Sequence, residues 1–246
     1  MFNFFADKSN LFNNEFRLYD KDFNHIKNVL RFKVGDKFLV SCDSKSHLCE
    51  LSRFEEDSAV ATILQEDYLD SKLSIDLYLF QGIPKSEKME LIIQKAVELG
   101  ANGIIPLDMK HCIAKIEKNK EESKLKRFQA IAESAGKQSK RNEIPTIYPV
   151  TSIATLCQNV GMLDHVLVPY ENEQGMASTI NALSKIKSGD KVGIVIGPEG
   201  GFDSQEIKAL LDAGAKTISL GKRILRTETA SITALGMLML YAEAKL

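Results

Sequence analysis

The stretch GIVIGPEGGFDSQEI, at residues 193–207, leads from an apolar strand directly into a helix. Three glycines fall within the five positions that follow the strand. Glycine adopts positive φ and lets a ligand approach the backbone closely, so the pattern favours a ligand-binding loop in an α/β fold. Its spacing differs from the dinucleotide and Walker phosphate fingerprints, which argues against NAD and ATP. The alternative is a plain connection capped by Asp203 or Ser204.

A second stretch in which a glycine and a polar segment follow a strand occurs one strand later, in LGKRILRTETA at residues 220–230. A strand is predicted to end at its glycine, and a polar segment then enters the last helix. Two neighbouring strand ends of this kind can frame one cleft. Helix capping by Thr227 or Thr229 is the alternative explanation of the hydroxyls, and a first-turn acid explains Glu228. A cation near a helix N-terminus opposes the helix dipole, so Arg226 calls for a functional role.

Apolar strands and amphipathic helices alternate from about residue 74 onward. The predicted strands are SIDLYLFQGI, NGIIPL, HVLVPY, KVGIVIGP and KTISLG, and the predicted helices include KSEKMELIIQKAVELG and residues 120–138. This alternation predicts a mainly parallel sheet with helices on both faces. Pro106, Pro169 and Pro198 fall at or just after strand ends. Ligands of such sheets bind at that edge.

The N-terminal part predicts a separate, mostly β domain. DKFLVSC and SAVATIL, at residues 36–42 and 58–64, are strand candidates. Between the chain start and these strands lies a short predicted helix that ends before Gly35, with apolar residues at Phe23, Ile26, Val29 and Leu30. Short strands in a small unit predict a barrel or a sandwich. The junction with the α/β part is expected at residues 65–74.

Composition is that of an ordinary folded protein. The chain has 246 residues, of which 44% are hydrophobic and 26% charged, with a net charge of −1. No apolar run is long enough to span a bilayer, and the first residues lack the pattern of a signal peptide. The four cysteines have no metal-ligand spacing, which predicts free thiols, a cytoplasmic protein and no metal site.

Charge is unevenly distributed. Residues 110–141 contain ten Lys/Arg and four Asp/Glu, and such a basic patch can bind phosphates. At its end, AGKQSKRNEIP contains Gln138, Arg141 and Asn142, which could hydrogen-bond RNA. The alternatives are a solvated helical face and a helix end whose cations complement the dipole.

Together these motifs resemble the small-subunit rRNA uridine-N3 methyltransferases of bacteria, members of the SPOUT superfamily. IGPEGGFDSQEI and LGKRILRTETA are the most specific matches. HIKNVLRFKVGD, KSEKMELIIQKAVELGANGIIPL and QSKRNEIP extend the resemblance over essentially the whole chain. Two positions depart from the family, whose members usually have Arg where this chain has His111 and often Glu where it has Lys137.

The resemblance implies properties that no periodicity shows. Residues 1–70 would form a PUA-like β-barrel that helps bind RNA. Residues 71–246 would form the SPOUT domain, an α/β fold with a deep C-terminal trefoil knot. The cofactor would be S-adenosylmethionine (SAM), the functional unit a homodimer, and the target N3 of one uridine in 16S rRNA of the small ribosomal subunit.

It also implies site residues. The cofactor would be bound by Pro169, Gly197, Glu199, Gly200, Gly201, Leu220, Gly221, Ile224, Leu225, Thr229 and Ala230. Gly200 is expected to leave backbone space for the cofactor. RNA would be bound by Arg31, Lys110, Gln138, Arg141 and Asn142.

For catalysis, we expect a cation to stabilise the charge that spreads onto uracil O2 and O4 when N3 loses its proton. Arg226 is the candidate, and Glu228 and Glu199 are weaker candidates for the base. Two other functions remain open at this point. One is a SPOUT methyltransferase that acts on tRNA or large-subunit rRNA, and the other is a non-catalytic RNA-binding assembly factor.

Overall fold

The computed structural model describes residues 1–173 and 175–246. The chain divides into two compact units. The N-terminal unit is Met1–Lys72 with Gly136–Ile144, and the C-terminal unit is Leu73–Ala135 with Pro145–Leu246. One long helix therefore contributes residues to both units.

Within the described residues, the N-terminal unit contains a six-stranded sheet. Its strands are β1 (Asn3–Phe5), β2 (Leu11–Phe12), β3 (Glu15–Tyr19), β4 (Lys37–Cys42), β5 (Lys45–Phe54) and β6 (Ser58–Leu69), in the order β1-β4-β5-β6-β3-β2. Only the pair β1 and β4 is parallel among these strands. A 3-10 turn covers Lys8–Asn10, and helix α1 (Asp20–Asn24) continues as a π-helical turn over His25–Val29. The predicted strands β4 and β6 are confirmed. Val29 was expected on the apolar face of the helix, but it is 63% exposed and lies outside the core.

The C-terminal unit is built around a parallel sheet. Its strands are β7 (Asp76–Gly82), β8 (Gly103–Asp108), β9 (Thr146–Ile147), β10 (Thr151–Ser152), β11 (His165–Pro169), β12 (Lys191–Ile196) and β13 (Lys216–Ile218). The order is β10-β8-β7-β12-β11-β13, with β9 also paired to β8, and every described pairing is parallel. Its helices are α2 (Ser86–Glu98), α3 (Lys118–Ser139), α4 (Ile153–Asn159), α5 (Ala177–Leu183), α6 (Ser204–Asp212) and α7 (Thr227–Lys245), with a 3-10 turn at Val160–Met162.

Apolar layers cover both faces of this sheet. Along β12, Ile194 and Ile196 pack into a core with α2, α3, α5 and α7, whereas Val195 packs into a second core with α4 and α6. Side chains alternate across a strand, so a run that is apolar at every position is the signature of a strand buried on both faces. The predicted α/β architecture is confirmed. Among the described residues, no helix has the length and apolar character needed to cross a membrane.

Helix ends show which local predictions were correct. Gly100 follows α2 at φ +93, and Asp203 caps α6 in a capping box with Glu206, both as expected. The last helix differs, because its N-cap residue is Arg226 and no side chain caps it. The prediction that a threonine caps α7 was therefore wrong. The strand before it ends at Ile218, earlier than the glycine expected to end it.

Candidate active site

A cavity of about 550 Å³ lies at the carboxyl ends of β11, β12 and β13. Because these strands are parallel neighbours, the loops that follow them meet at one edge of the sheet. Two loops dominate the lining: the glycine loop, residues 197–201, and the basic loop, residues 219–226. The remaining lining residues are Lys88, Pro169, Tyr170, Glu171, Ile196, Phe202, Thr227 and Ala230.

The glycine loop is a tight turn. The Gly201 N–H donates to the Pro198 carbonyl at 3.0 Å, and Gly201 has φ +71, a conformation that favours glycine. A Cβ on Gly200 would lie 2.8 Å from the His111 Cβ and 2.9 Å from the His111 carbonyl oxygen. Gly200 lines the cavity, but the missing side chain makes room for the segment at His111. The expectation that this space serves the cofactor was wrong.

Buried hydrogen bonds fix the start of the basic loop. The Ser219 N–H donates to the Thr179 hydroxyl at 2.9 Å, and that hydroxyl donates to the Ser219 carbonyl at 2.8 Å. The Gly221 N–H donates to the Ser219 hydroxyl at 3.2 Å, and Gly221 has φ +109. The loop therefore leaves β13 in a defined direction.

A second buried network fixes its end. The Thr227 hydroxyl donates to the Gly197 carbonyl at 2.7 Å and accepts from the Gln81 side-chain amide at 2.9 Å. The Gln81 amide nitrogen also donates to the Gly82 carbonyl at 2.9 Å. The Ser231 hydroxyl lies within hydrogen-bond distance of the Gln81 side-chain oxygen and the Thr227 carbonyl. Thr227 thus ties the last helix to the glycine loop, a role that capping arguments did not predict.

Lys88 of α2 binds both candidate carboxylates. Its Nζ lies 3.3 Å from Glu199 Oε1 and 3.2 Å from Glu228 Oε2. Burial alone raises the pKa of Glu199, but hydrogen bonds from backbone N–H groups, including that of Lys85, and the Lys88 ammonium outweigh it, so the net pKa is lowered. Burial also opposes the charge on Lys88, but the two carboxylates raise its pKa. This cluster favours an ionised Glu199 engaged by a cation, which makes it a weak proton acceptor.

Arg226 is exposed, lines the cavity and precedes the first turn of α7. Its guanidinium forms no ion pair with the carboxylates that the structure describes. It is therefore free to contact a bound substrate.

The predicted cofactor residues come together with one exception. All except Thr229 line the cavity: Pro169, Gly197, Glu199, Gly200, Gly201, Leu220, Gly221, Ile224, Leu225 and Ala230. Thr229 is exposed on α7 outside the lining, and Thr227 lies in the cavity instead. Lys88 and Thr227 were missed. Lys88 lies in α2, the amphipathic helix that follows β7, and nothing in the sequence of that helix marks it as a site residue.

The predicted RNA-binding residues differ in burial and belong to two units. Arg141 and Asn142 are only 6% and 5% exposed. The Asn142 side chain accepts from the Ser71 N–H at 2.9 Å and donates to the Leu69 carbonyl at 2.9 Å. Burial lowers the pKa of the Arg141 guanidinium, and the Arg141 carbonyl accepts from Asn3 at 3.1 Å. These two residues stabilise the N-terminal unit, so their assignment to RNA is corrected.

The other three are exposed. Arg31 and Gln138 belong to the N-terminal unit, and Lys110 belongs to the C-terminal unit, where its Nζ lies 2.7 Å from Asp203. Their contacts with RNA stay predictions. His111 does not line the cavity, and Lys137 pairs with Asp22 at 2.8 Å.

Comparison with known families agrees with this arrangement. Residues 71–239 match the family described as RNA methyltransferase domain, and residues 18–64 match the family described as RNA methyltransferase PUA domain. The chain belongs to the RNA methyltransferase family. The first match includes both loops of the cavity.

Relatives of this RNA methyltransferase cover nearly its whole length. Ribosomal RNA small subunit methyltransferase E of Bacillus subtilis is 35% identical over 232 residues, which are 93% of this chain and 91% of the relative. The enzyme of the same name from Mesomycoplasma hyopneumoniae is 33% identical, over 94% and 96% of the two chains. A crystal structure of the Neisseria gonorrhoeae enzyme of that name, bound to S-adenosyl methionine, is 30% identical with a TM-score of 0.82 and covers 97% and 96%.

Proposed function

We propose that this protein transfers a methyl group from SAM to N3 of a uridine in the rRNA of the small ribosomal subunit. The main support for the proposal is the cavity itself. Two glycine-containing loops and Arg226 line it, and the chain belongs to the RNA methyltransferase family. The relatives named for small-subunit rRNA methylation support the substrate class.

The cavity fits a ligand of the size of SAM. Its volume of about 550 Å³ falls within the range of roughly 300–1,000 Å³ that is usual for small-molecule sites. Glycine at two positive-φ positions, Gly201 and Gly221, exposes backbone toward it. Leu220, Leu225 and Ala230 supply apolar contacts. When bound, SAM supplies a methyl group that its sulfonium already makes electrophilic.

Arg226 then acts on the acceptor base. Neutral uracil N3 holds a proton and is a poor nucleophile, and loss of that proton spreads negative charge onto O2 and O4. A guanidinium that makes no ion pair within the described chain can donate hydrogen bonds to these oxygens, which stabilises the charge while the N3 proton passes to solvent, the N3–C bond forms and the S–C bond to the methyl group breaks. Glu199 and Glu228 are held by Lys88, so we assign them to positioning the two loops rather than to removing the proton.

Further parts of the proposal follow from family membership. We propose that the segment from β12 through α7 forms a trefoil knot, that residues 1–70 and 71–246 are a PUA-like RNA-binding domain and the SPOUT methyltransferase domain, and that two copies of the chain form the active dimer in the cytoplasm. The match of residues 18–64 to a PUA family supports the role of the first domain.

The deciding experiment measures transfer of labelled methyl from SAM to small subunits that lack the modification, with the product nucleoside identified. Free rRNA, large subunits and tRNA are assayed in parallel. We expect 3-methyluridine in small-subunit rRNA. Methylation of tRNA or large subunits alone would move the enzyme to another RNA, and absence of SAM binding would leave a non-catalytic factor. Arg226→Ser should lower transfer about 100- to 1,000-fold with SAM affinity retained.

A further inference from the structure

Charged side chains at the cavity fall into two groups. Lys88 binds the two carboxylates of Glu199 and Glu228. The basic loop presents three further cations, Lys222, Arg223 and Arg226, all of them exposed, and Glu171 is the one other carboxylate among the described lining residues. In the part of the chain that the structure describes, no carboxylate forms an ion pair with these three.

The cofactor does not supply a counter-charge for these cations. SAM carries a sulfonium and an ammonium against one carboxylate, so its net charge is positive. The other ligand is a polyanion. Unpaired Arg and Lys side chains are the groups that bind RNA phosphates, and here they are exposed and line the cavity.

We propose that Lys222 and Arg223 form a phosphate-binding site for the RNA backbone beside the target uridine, next to Arg226 at the base. The inference rests on the proposed function. It places RNA contacts in the C-terminal unit, among the residues that line the cavity, whereas the predicted Gln138, Arg141 and Asn142 belong to the N-terminal unit and two of them are buried.

The backbone holds this site in place before RNA binds. Thr179 fixes Ser219 at the start of the basic loop, and Thr227 fixes its end to Gly197. The ordering entropy that flexible loops lose on binding is therefore reduced. Between the cations, Ile224 is 86% exposed and gives the loop an apolar tip that can pack on the face of a base.

The test compares Lys222→Gln/Arg223→Gln with Lys185→Gln/Lys187→Gln, which removes two exposed cations of the same unit outside the cavity. Binding to unmodified small subunits is measured from 50 to 200 mM salt, and SAM affinity by calorimetry. Each phosphate contact with single-stranded RNA contributes about 0.7 to the slope of log K against log salt. We expect the loop variant to lose up to about 1.4 in slope and to bind about tenfold more weakly at 0.15 M salt, with SAM affinity within about twofold of wild type.

The control variant should bind RNA and SAM like wild type. An unchanged slope for the loop variant overturns the inference, as does a loss of SAM affinity without a loss of RNA affinity. Should wild type bind small subunits but transfer no methyl group, the proposed function fails, and the slope comparison still decides about the phosphate site.

Discussion

Replacement of Thr227 by valine removes one hydroxyl and keeps the shape of the side chain. That hydroxyl donates to the Gly197 carbonyl at 2.7 Å and accepts from Gln81 at 2.9 Å, in a residue that is 6% exposed. The variant therefore leaves one part-buried carbonyl and one buried amide hydrogen without partners. Each orphaned group of this kind costs about 1–3 kcal/mol.

Partial relaxation reduces the sum, so we expect the free energy of unfolding to fall by about 2–3 kcal/mol. For a chain of this size, 1 kcal/mol corresponds to roughly 2–4 °C in Tm, which gives a fall of about 5–10 °C. Methyl transfer should fall about tenfold or more, because the basic loop loses the bond that fixes its end to the glycine loop.

Thr229→Val is the matched control. It makes the same chemical change two residues further along the same helix, at an exposed position outside the cavity. Its free energy of unfolding should stay within about 0.5 kcal/mol of wild type. Thermal unfolding by calorimetry and a methyl-transfer assay measure both variants. Equal Tm values for the two variants, or a larger loss in Thr229→Val, would refute the network described here.

Two further substitutions test the surroundings of the cavity. Gly200→Ala puts a Cβ 2.9 Å from the His111 carbonyl oxygen, so we expect the free energy of unfolding to fall by about 1–3 kcal/mol, measured by thermal unfolding. An unchanged Tm would show that the segment at His111 moves freely. Lys88→Met removes the cation that lowers the pKa of Glu199 from its ordinary 4.5 and leaves Glu228 without its partner. A carboxyl whose pKa is lowered in the folded state stabilises the fold above pH 4.5, and this contribution is lost as the pH falls. The Tm deficit of Lys88→Met relative to wild type should therefore be largest near pH 7 and shrink below pH 4. A deficit that does not change with pH would contradict this role of Lys88.

The fold was predictable where one short segment carries the whole signal. Strands such as β8 and β12 are buried on both faces, so continuous apolar runs such as KVGIVIGP identify them. β5 lies in KSHLCELSRF, which mixes polar and apolar residues, and the two-residue strands β9 and β10 are too short to leave a pattern. The pairing of β9 and β10 also depends on β8, which is distant in sequence.

The site divides in the same way. Glycines mark both loops of the cavity, since backbone conformation limits the residue types there, and Pro198 also marks the glycine loop. Arg141 and Asn142 were assigned to RNA because a basic helix end has the same composition whether its side chains contact RNA or pack inside the protein. What decides is the burial of Asn142 against Ser71 and Leu69, a contact between distant parts of the sequence.

Arg226 makes the N-terminus of the last helix less stable than a capping residue would. It occupies the N-cap position of α7, where its side chain makes no capping bond and its charge opposes the helix dipole. A serine there can accept from the free N–H groups of the first turn, and such caps contribute about 0.5–2 kcal/mol. Arg226→Ser should therefore raise the Tm by roughly 1–8 °C while it lowers methyl transfer. Substitution of a residue needed for the fold, such as Thr227, would instead lower the Tm and methyl transfer together. A fall in Tm for Arg226→Ser would show that the arginine is structural and would remove the argument for its role in catalysis.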